Sequence, residues 1–258
     1  MLPIVARNIF RLQESLLGRP SFKILSELRE SERWQAEKLT QLQIERLQQT
    51  VQSAYENTPY WKELMDRHDI QPQSIHALDD LAGFPLLEKD TLRECREEMV
   101  WRSEGKRLQL VRTSGSTNEA LQFYTSSTRE SHINAARMRG HEWIGIRRGE
   151  RELYYWGSPI ELTKQDRIKR VRDWLINDGL TNGFEVTPDR LKEYFRQWLA
   201  WRPVCLFGYP STFALTVTMA ESAKIDLRKL RGNGLKVIVT TSEMLTVTDR
   251  KLISEGFG

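Results

Sequence analysis

Between Val111 and Ser127 the chain reads VRTSGSTNEALQFYTSS, and residues 113–119 carry no apolar side chain. Hydroxyl groups on Thr113, Ser114, Ser116 and Thr117 surround the permissive backbone of Gly115. Backbone N–H groups that converge in such a loop form a nest for an anion, and phosphate is the chemistry that fits. The other reading is a polar hairpin turn between two strands. A Walker A loop is excluded, because no Lys-Ser/Thr pair follows a second glycine. Gly232-Asn233-Gly234 is not a dinucleotide fingerprint, since it precedes a strand-like run and lacks the third glycine. Two more segments place polar or aromatic groups where a strand should end. KVIVTTSEML, residues 236–245, is a buried-type strand that runs into Thr241, Ser242 and Glu243. Ligands of open α/β sheets bind outside the carboxyl ends of the strands. There Glu243 suits hydrogen bonds from a base or a ribose, or else belongs to a loop approaching a helix. VCLFGYPSTF, residues 204–213, ends its strand in Gly208, Tyr209 and Pro210. Tyr209 reads either as a ligand contact or as a packed aromatic.

The elements that must position these groups follow from hydrophobic period. Residues 1–17 place Ile4, Val5, Ile9, Leu12, Leu16 and Leu17 at helical spacing with Arg7 and Arg11 between them, and Gly18-Arg19-Pro20 ends that helix. Its apolar stripe either packs on the rest of the protein or makes weak contact with a membrane surface. A short helix is expected over 22–28. Another is expected over 34–56, with Leu39, Leu42, Leu47, Val51 and Ala54 on one stripe, ended by Asn57-Thr58-Pro59. From residue 108 the period changes. Strands at 108–111, 121–125, 152–156, 204–207 and 235–240 are joined to helices at 127–143, 165–175, 187–200, 212–222 and 247–255. Ser127 with Glu130 makes a capping box, and Thr187-Pro188 supplies a cap and a first-turn proline. The expected architecture is α/β: a helical N-terminal region over 1–100, then an α/β nucleotide-binding portion over 101–258 with a mostly parallel sheet and flanking helices.

Composition narrows the function. The net charge of +4 among 258 residues suits an anionic ligand, but no Lys/Arg block interleaved with aromatics argues for nucleic acid. Cys95 and Cys205 form neither a disulfide framework nor a metal-ligand spacing, so a cytoplasmic setting is the default. His68, His76, His132 and His141 form no metal motif, and no metal ligand is assigned. No apolar run is long enough to span a bilayer, and the N-terminus lacks the apolar core and cleavage site of a signal peptide.

The order TSGST, GYPS and TTSEML, with ENTPYW and FPLLEKDTLR upstream, resembles the adenylate-forming enzymes over essentially the whole chain. The resemblance is closer to the branch with phenylacetate–coenzyme A ligase and the related capsular polysaccharide biosynthesis proteins. It implies part of the large N-terminal domain of such an enzyme. It also implies that Thr113, Ser114, Gly115, Ser116 and Thr117 grip the ATP phosphates and that Thr241, Ser242 and Glu243 lie on the adenine side. Gly208, Tyr209, Pro210 and Ser211 then form the acyl-pocket turn, with Trp156 beside it. The implied reaction joins a carboxylate to AMP with ATP and Mg²⁺, releases pyrophosphate, and passes the acyl group to a thiol, commonly coenzyme A, or to an amine. No catalytic residue is assigned. The family's aromatic-Gly-x-x-Glu motif, ribose-binding aspartate and catalytic lysine follow the position of Gly258. The expectation is therefore an incomplete N-terminal portion without the C-terminal lid domain, inactive alone. The alternative is a non-catalytic nucleotide-binding or interaction module on the same scaffold. For the ligase reading, the loop, the turn and the 241–243 segment should meet at one shallow, exposed crevice with Tyr209 and Trp156 in its apolar lining.

Where the phosphate loop of the family usually continues Gly-Lys-Pro, this chain has Asn118-Glu119-Ala120. Asn tolerates the left-handed backbone of a glycine, whereas Glu119 places a negative charge beside a phosphate. Glu119→Lys is expected to tighten ATP binding in the full-length ligase by about 0.5–1 kcal/mol, with a gain that shrinks as salt is added. Calorimetric titration at two ionic strengths checks this. Weaker binding, or no salt dependence, would place Glu119 away from phosphate.

Overall fold

Five residues, Glu-Leu-Tyr-Tyr-Trp, form the centre of the sheet because alternate side chains have separate apolar environments to enter. In the computed structural model, which describes residues 1–101, 108–113, 120–156, 167–184 and 186–258, the chain forms two compact units, Met1–Leu17 with Arg137–Gly258, and Gly18–Ala136.

The sheet unit contains helix α1 (Pro3–Leu16) and strands β3 (Glu152–Trp156), β4 (Asp178–Asn182), β5 (Cys205–Gly208) and β6 (Val237–Thr240). The strands lie in the order β4-β3-β5-β6, and every neighbouring pair is parallel. The mostly parallel sheet expected from the alternating pattern is therefore present. Helices α7 (Arg167–Leu175), α8 (Pro188–Trp201), α9 (Pro210–Ser222), the short α10 (Lys229–Gly232) and α11 (Val247–Phe257) connect or follow the strands. One face of the sheet packs Leu153, Tyr155 and Leu206 against Trp198 of α8, Phe213 and Val217 of α9, and Phe257 of α11. Tyr155 is fully buried, and its hydroxyl lies 3.0 Å from Thr216 Oγ1, which donates to the Thr212 carbonyl at 2.7 Å. Burial pushes the Tyr155 phenol up to about 12.

Strand β4 was not legible in the sequence. Asp-Gly-Leu-Thr-Asn is poor in strand formers, yet tertiary contacts select it. A Cβ on Gly179 would stand 2.8 Å from Leu153 Cδ1 and 3.1 Å from the Trp201 ring, so a larger residue there requires the Leu153 side chain to shift. Trp198 Nε1 donates to Thr181 Oγ1 at 3.0 Å. Strand β6 departs from the buried type in the other direction: all four of its residues are half-buried, since it forms an edge of the sheet. Helix α1 buries Ala6, Phe10 and Glu14. The Arg148 guanidinium lies over the Phe10 ring at 4.2 Å and grips Asp178 with both terminal nitrogens, at 2.6 and 2.9 Å. Asn177 Nδ2 donates to the carbonyls of Met1 and Gly149. The other face of α1 leaves Leu2, Ile4, Leu12 and Leu16 exposed. Among the described residues no helix is long and apolar enough to cross a membrane.

The second unit carries α2 (Ser21–Ser31), α3 (Ala36–Asn57), α4 (Pro59–Arg67), α5 (Lys89–Glu94) and the antiparallel hairpin β1 (Gln109–Arg112) with β2 (Gln122–Thr125). Helix α6 (Ser127–Trp143) crosses from this unit into the other. The α3 stripe buries only Val51, which packs with Met65 of α4 and Ile75. Helix α4, absent from the sequence reading, begins at Pro59 directly after the Thr58 cap position, where a proline stops one helix and starts the next. Arg96 donates to Gln122 Oε1 at 2.7 Å and Tyr124 donates to Glu97 at 3.1 Å, which fastens the hairpin to the segment after α5.

Phe213 is completely buried and touches the rings of Tyr155 and Phe257. Phe213→Ala is expected to lower the unfolding free energy by about 3–5 kcal/mol, read from urea denaturation. A loss below about 1 kcal/mol would contradict the packing of this face.

Candidate active site at the carboxyl ends of the strands

A parallel sheet gathers all its carboxyl ends on one edge. Here β3 ends at Trp156, β5 at Gly208 and β6 at Thr240. From β3 the chain goes to β4 on one side, and later to β5 and β6 on the other. The gap between β3 and β5 is thus a switch point of the kind that holds ligands.

Local contacts draw the predicted residues together there. The Trp156 and Tyr209 rings lie 4.3 Å apart, tilted by 30°. The Thr241 N–H donates to the Gly208 carbonyl at 3.1 Å, one residue past the β5–β6 ladder. The Ser211 N–H donates to Glu243 Oε2 at 3.1 Å. Pro210 and Ser211 open α9, so the carboxylate sits where the first N–H groups of a helix lack backbone partners and attract negative charge. Ser242 makes this possible by a left-handed backbone, φ 67°, which turns the chain back toward α9. That conformation is costly for any residue with a Cβ. Ser242 and Glu243 are exposed, Thr241 half-buried. Gly208 is required by close approach: a Cβ there would press into the carbonyl oxygen of Tyr155.

Period two along β3 and β5 sets the rest of the lining. Trp156 shares its sheet face with Tyr154 and Phe207; the Trp156 and Phe207 rings stack at 6.0 Å and 17°. With Lys169, Arg172 and Asp173 of α7 they bound a groove of about 370 Å³. The sequence reading named Trp156 but missed Tyr154, Phe207, Lys169 and Arg172. The alternation in ELYYW was the available signal for Tyr154, whereas the α7 cations needed the fold. A larger groove, about 750 Å³, runs along β6 and α11 past Ile238, Thr240, Ile253 and Phe257.

Of the phosphate-loop residues, Thr113 lies among the described ones, in the unit that holds the hairpin. Its N–H donates to the Leu121 carbonyl at 2.9 Å and its Oγ1 accepts from the Leu121 N–H at 3.0 Å, closing the hairpin. Ser114, Gly115, Ser116, Thr117 and Glu119 lie outside the described residues.

The fold is similar to that of solved coenzyme A ligases. A structure of 2-hydroxyisobutyryl-CoA ligase in complex with 2-HIB-AMP and CoA superposes with a TM-score of 0.69 over 86% of this chain and 48% of that one, at 20% identity. An open conformation of the same ligase gives 0.67 over 86% and 52%, at 19% identity. Phenylacetate-coenzyme A ligases are the curated relatives: the protein of Aromatoleum evansii is 40% identical over 58 residues, and that of Thermus thermophilus 38% over 58. That stretch is 22% of this chain and 13% of each relative. The chain spans about half the length of the solved structures it matches. No family model matches it. The resemblance seen in the order of the sequence motifs is thus met both in sequence and in fold.

Gly208→Ala is expected to destabilise the sheet unit by about 1–3 kcal/mol, the scale of overpacking, and to displace the Tyr209 turn from Trp156. Thermal unfolding with tryptophan emission checks both. Unchanged stability and emission would mean that the backbones do not meet at this point.

Proposed function

We propose that this chain forms the acid- and adenylate-binding part of an AMP-forming carboxylate ligase of the acyl- or aryl-coenzyme A type. The observation that carries this reading is the pairwise meeting of Trp156 with Tyr209, Gly208 with Thr241, and Ser211 with Glu243 at one edge of the sheet. In this reading the aromatic groove beside Trp156 takes the organic part of the acid, and residues 241–243 take the adenine side. The sequence resemblance assigns residues 113–117 to the ATP phosphates. Lys169 and Arg172 line this groove with Asp173, which pairs with Arg172, and with Asp178. Mg²⁺ would accompany ATP. The carboxylate among the described residues of the strand ends, Glu243, is engaged by the Ser211 N–H, so no ligand of this chain is assigned to the ion.

What supports the chemistry is the relatives' own: one binds an acyl adenylate and CoA, and others are phenylacetate-coenzyme A ligases. The sequence resemblance to capsule-biosynthesis proteins carries the further reading of polysaccharide biosynthesis in the cytoplasm, with a thiol or an amine as acceptor.

The test is binding of a hydrolysis-resistant acyl adenylate, phenylacetyl sulfamoyl adenosine, to the chain of residues 1–258 by calorimetry. Saturable binding is expected, weakened at least about tenfold, or about 1.4 kcal/mol, by Trp156→Ala, with the far-ultraviolet circular dichroism unchanged. Absence of binding, or binding indifferent to Trp156→Ala, would defeat this assignment of the edge. Carboxylate-dependent ATP–pyrophosphate exchange by the full-length product, with aryl and alkyl acids, then identifies the substrate class.

A further inference from the structure

We infer that His141, Glu152 and Cys205 form a zinc-binding site at the amino ends of β3 and β5. The inference goes beyond the ligase reading, which concerns the other ends of the same strands. Glu152 opens β3 and Cys205 opens β5, and the two are register partners in the parallel ladder. Their side chains therefore share one sheet face. His141, near the end of α6, reaches the same place. One imidazole nitrogen, one carboxylate oxygen and the thiol sulfur all lie within 4.8 Å of one another. Zinc–ligand bonds of about 2.0–2.3 Å in tetrahedral geometry put neighbouring ligand atoms roughly 3.3–3.6 Å apart. The contraction required is on the scale of a side-chain rotation. An imidazole, a thiolate and a carboxylate are the donor types zinc takes, and three protein ligands leave the fourth position for water.

A second observation points to a cation. Glu152 is 3% exposed. Its Oε2 is held by Arg137, an ion pair that orients the carboxylate. Its Oε1 is buried with no hydrogen-bond partner, and His141 Nε2 stands 3.5 Å from it. A buried carboxylate oxygen left without a partner is destabilising, and a metal ion supplies what is missing.

The protonation states suit this. Burial holds the His141 pKa below its usual value, against the opposing pull of Glu152. Burial likewise pushes the Cys205 thiol up, so without metal it keeps its proton. On binding, the S–H bond breaks as the Zn–S bond forms, and the proton leaves to solvent. Zinc balances the thiolate and the Glu152 carboxylate. Arg137, with 27% of its side chain exposed, stands on the solvent side. The bound ion would fasten the end of α6 to both central strands.

The test uses the full chain, stripped of metal under reducing conditions and titrated with Co²⁺ as a spectroscopic substitute for zinc. One equivalent is expected to bind with a thiolate-to-cobalt charge-transfer band in the near ultraviolet, and Zn²⁺ should displace it. Cys205→Ser should abolish the band, and His141→Gln should weaken binding at least tenfold with unchanged circular dichroism. If Cys205→Ser does not fold, His141→Gln and the band in the unsubstituted chain decide. Failure of the unsubstituted chain to bind one equivalent, a bound cobalt without the thiolate band, or unchanged affinity in His141→Gln would overturn the inference.

Discussion

The parallel pairing of β3 with β5 is the interaction on which the rest of the sheet unit depends. Four register pairs, from Glu152 with Cys205 to Tyr155 with Gly208, fix where both ends of both strands stand. At the carboxyl ends this pairing carries Trp156 to Tyr209. At the amino ends it sets a carboxylate beside a thiol. The pairing is closed by the missing Cβ of Gly208, since any larger residue would press on the Tyr155 carbonyl. A slip by one residue would exchange the two sheet faces. It would send Tyr155 out of the core and Trp156 into it, and dissolve both constellations together.

Burial in this unit is made tolerable by partners. Tyr155 lies inside because Thr216 receives its hydroxyl, and Trp198 because Thr181 receives its indole N–H. Arg148 lies under α1 because Asp178 meets it with both oxygens. Polar groups withdrawn from water without such partners are costly, and these pairs explain why a strand as unpromising as β4 is held in the sheet. Glu152 differs from these pairs: Arg137 holds its Oε2, whereas its buried Oε1 makes no hydrogen bond and has His141 Nε2 3.5 Å away.

Glu243 illustrates how the strand ends are preorganised. Its carboxylate already accepts from the Ser211 N–H in the first turn of α9, and the left-handed Ser242 turns the chain to bring it there. The turn and the segment after β6 are thereby one connected unit before any ligand arrives.

Much of this was legible in the sequence. The change of period after residue 100, the alternation in ELYYW and the Thr187-Pro188 start of α8 report local geometry that any fold must respect, and they appear as β3 and α8. The order of TSGST, GYPS and TTSEML also carried the resemblance in fold that the solved ligases show. Period and motif say nothing, however, about which distant residues become neighbours. Strand β4 exists because Leu153, Trp198 and Trp201 select it over its own propensity. Helix α1 belongs with the sheet because Arg148 and Asn177 tie it there. His141, Glu152 and Cys205 share no spacing that could have marked them. The sequence by itself determined the kinds of element and the residues that end them, since these depend on near neighbours. Only the tertiary structure decided that Ser211 faces Glu243 and Glu152 faces Cys205, since strand order and register arise from side chains packing across the whole unit.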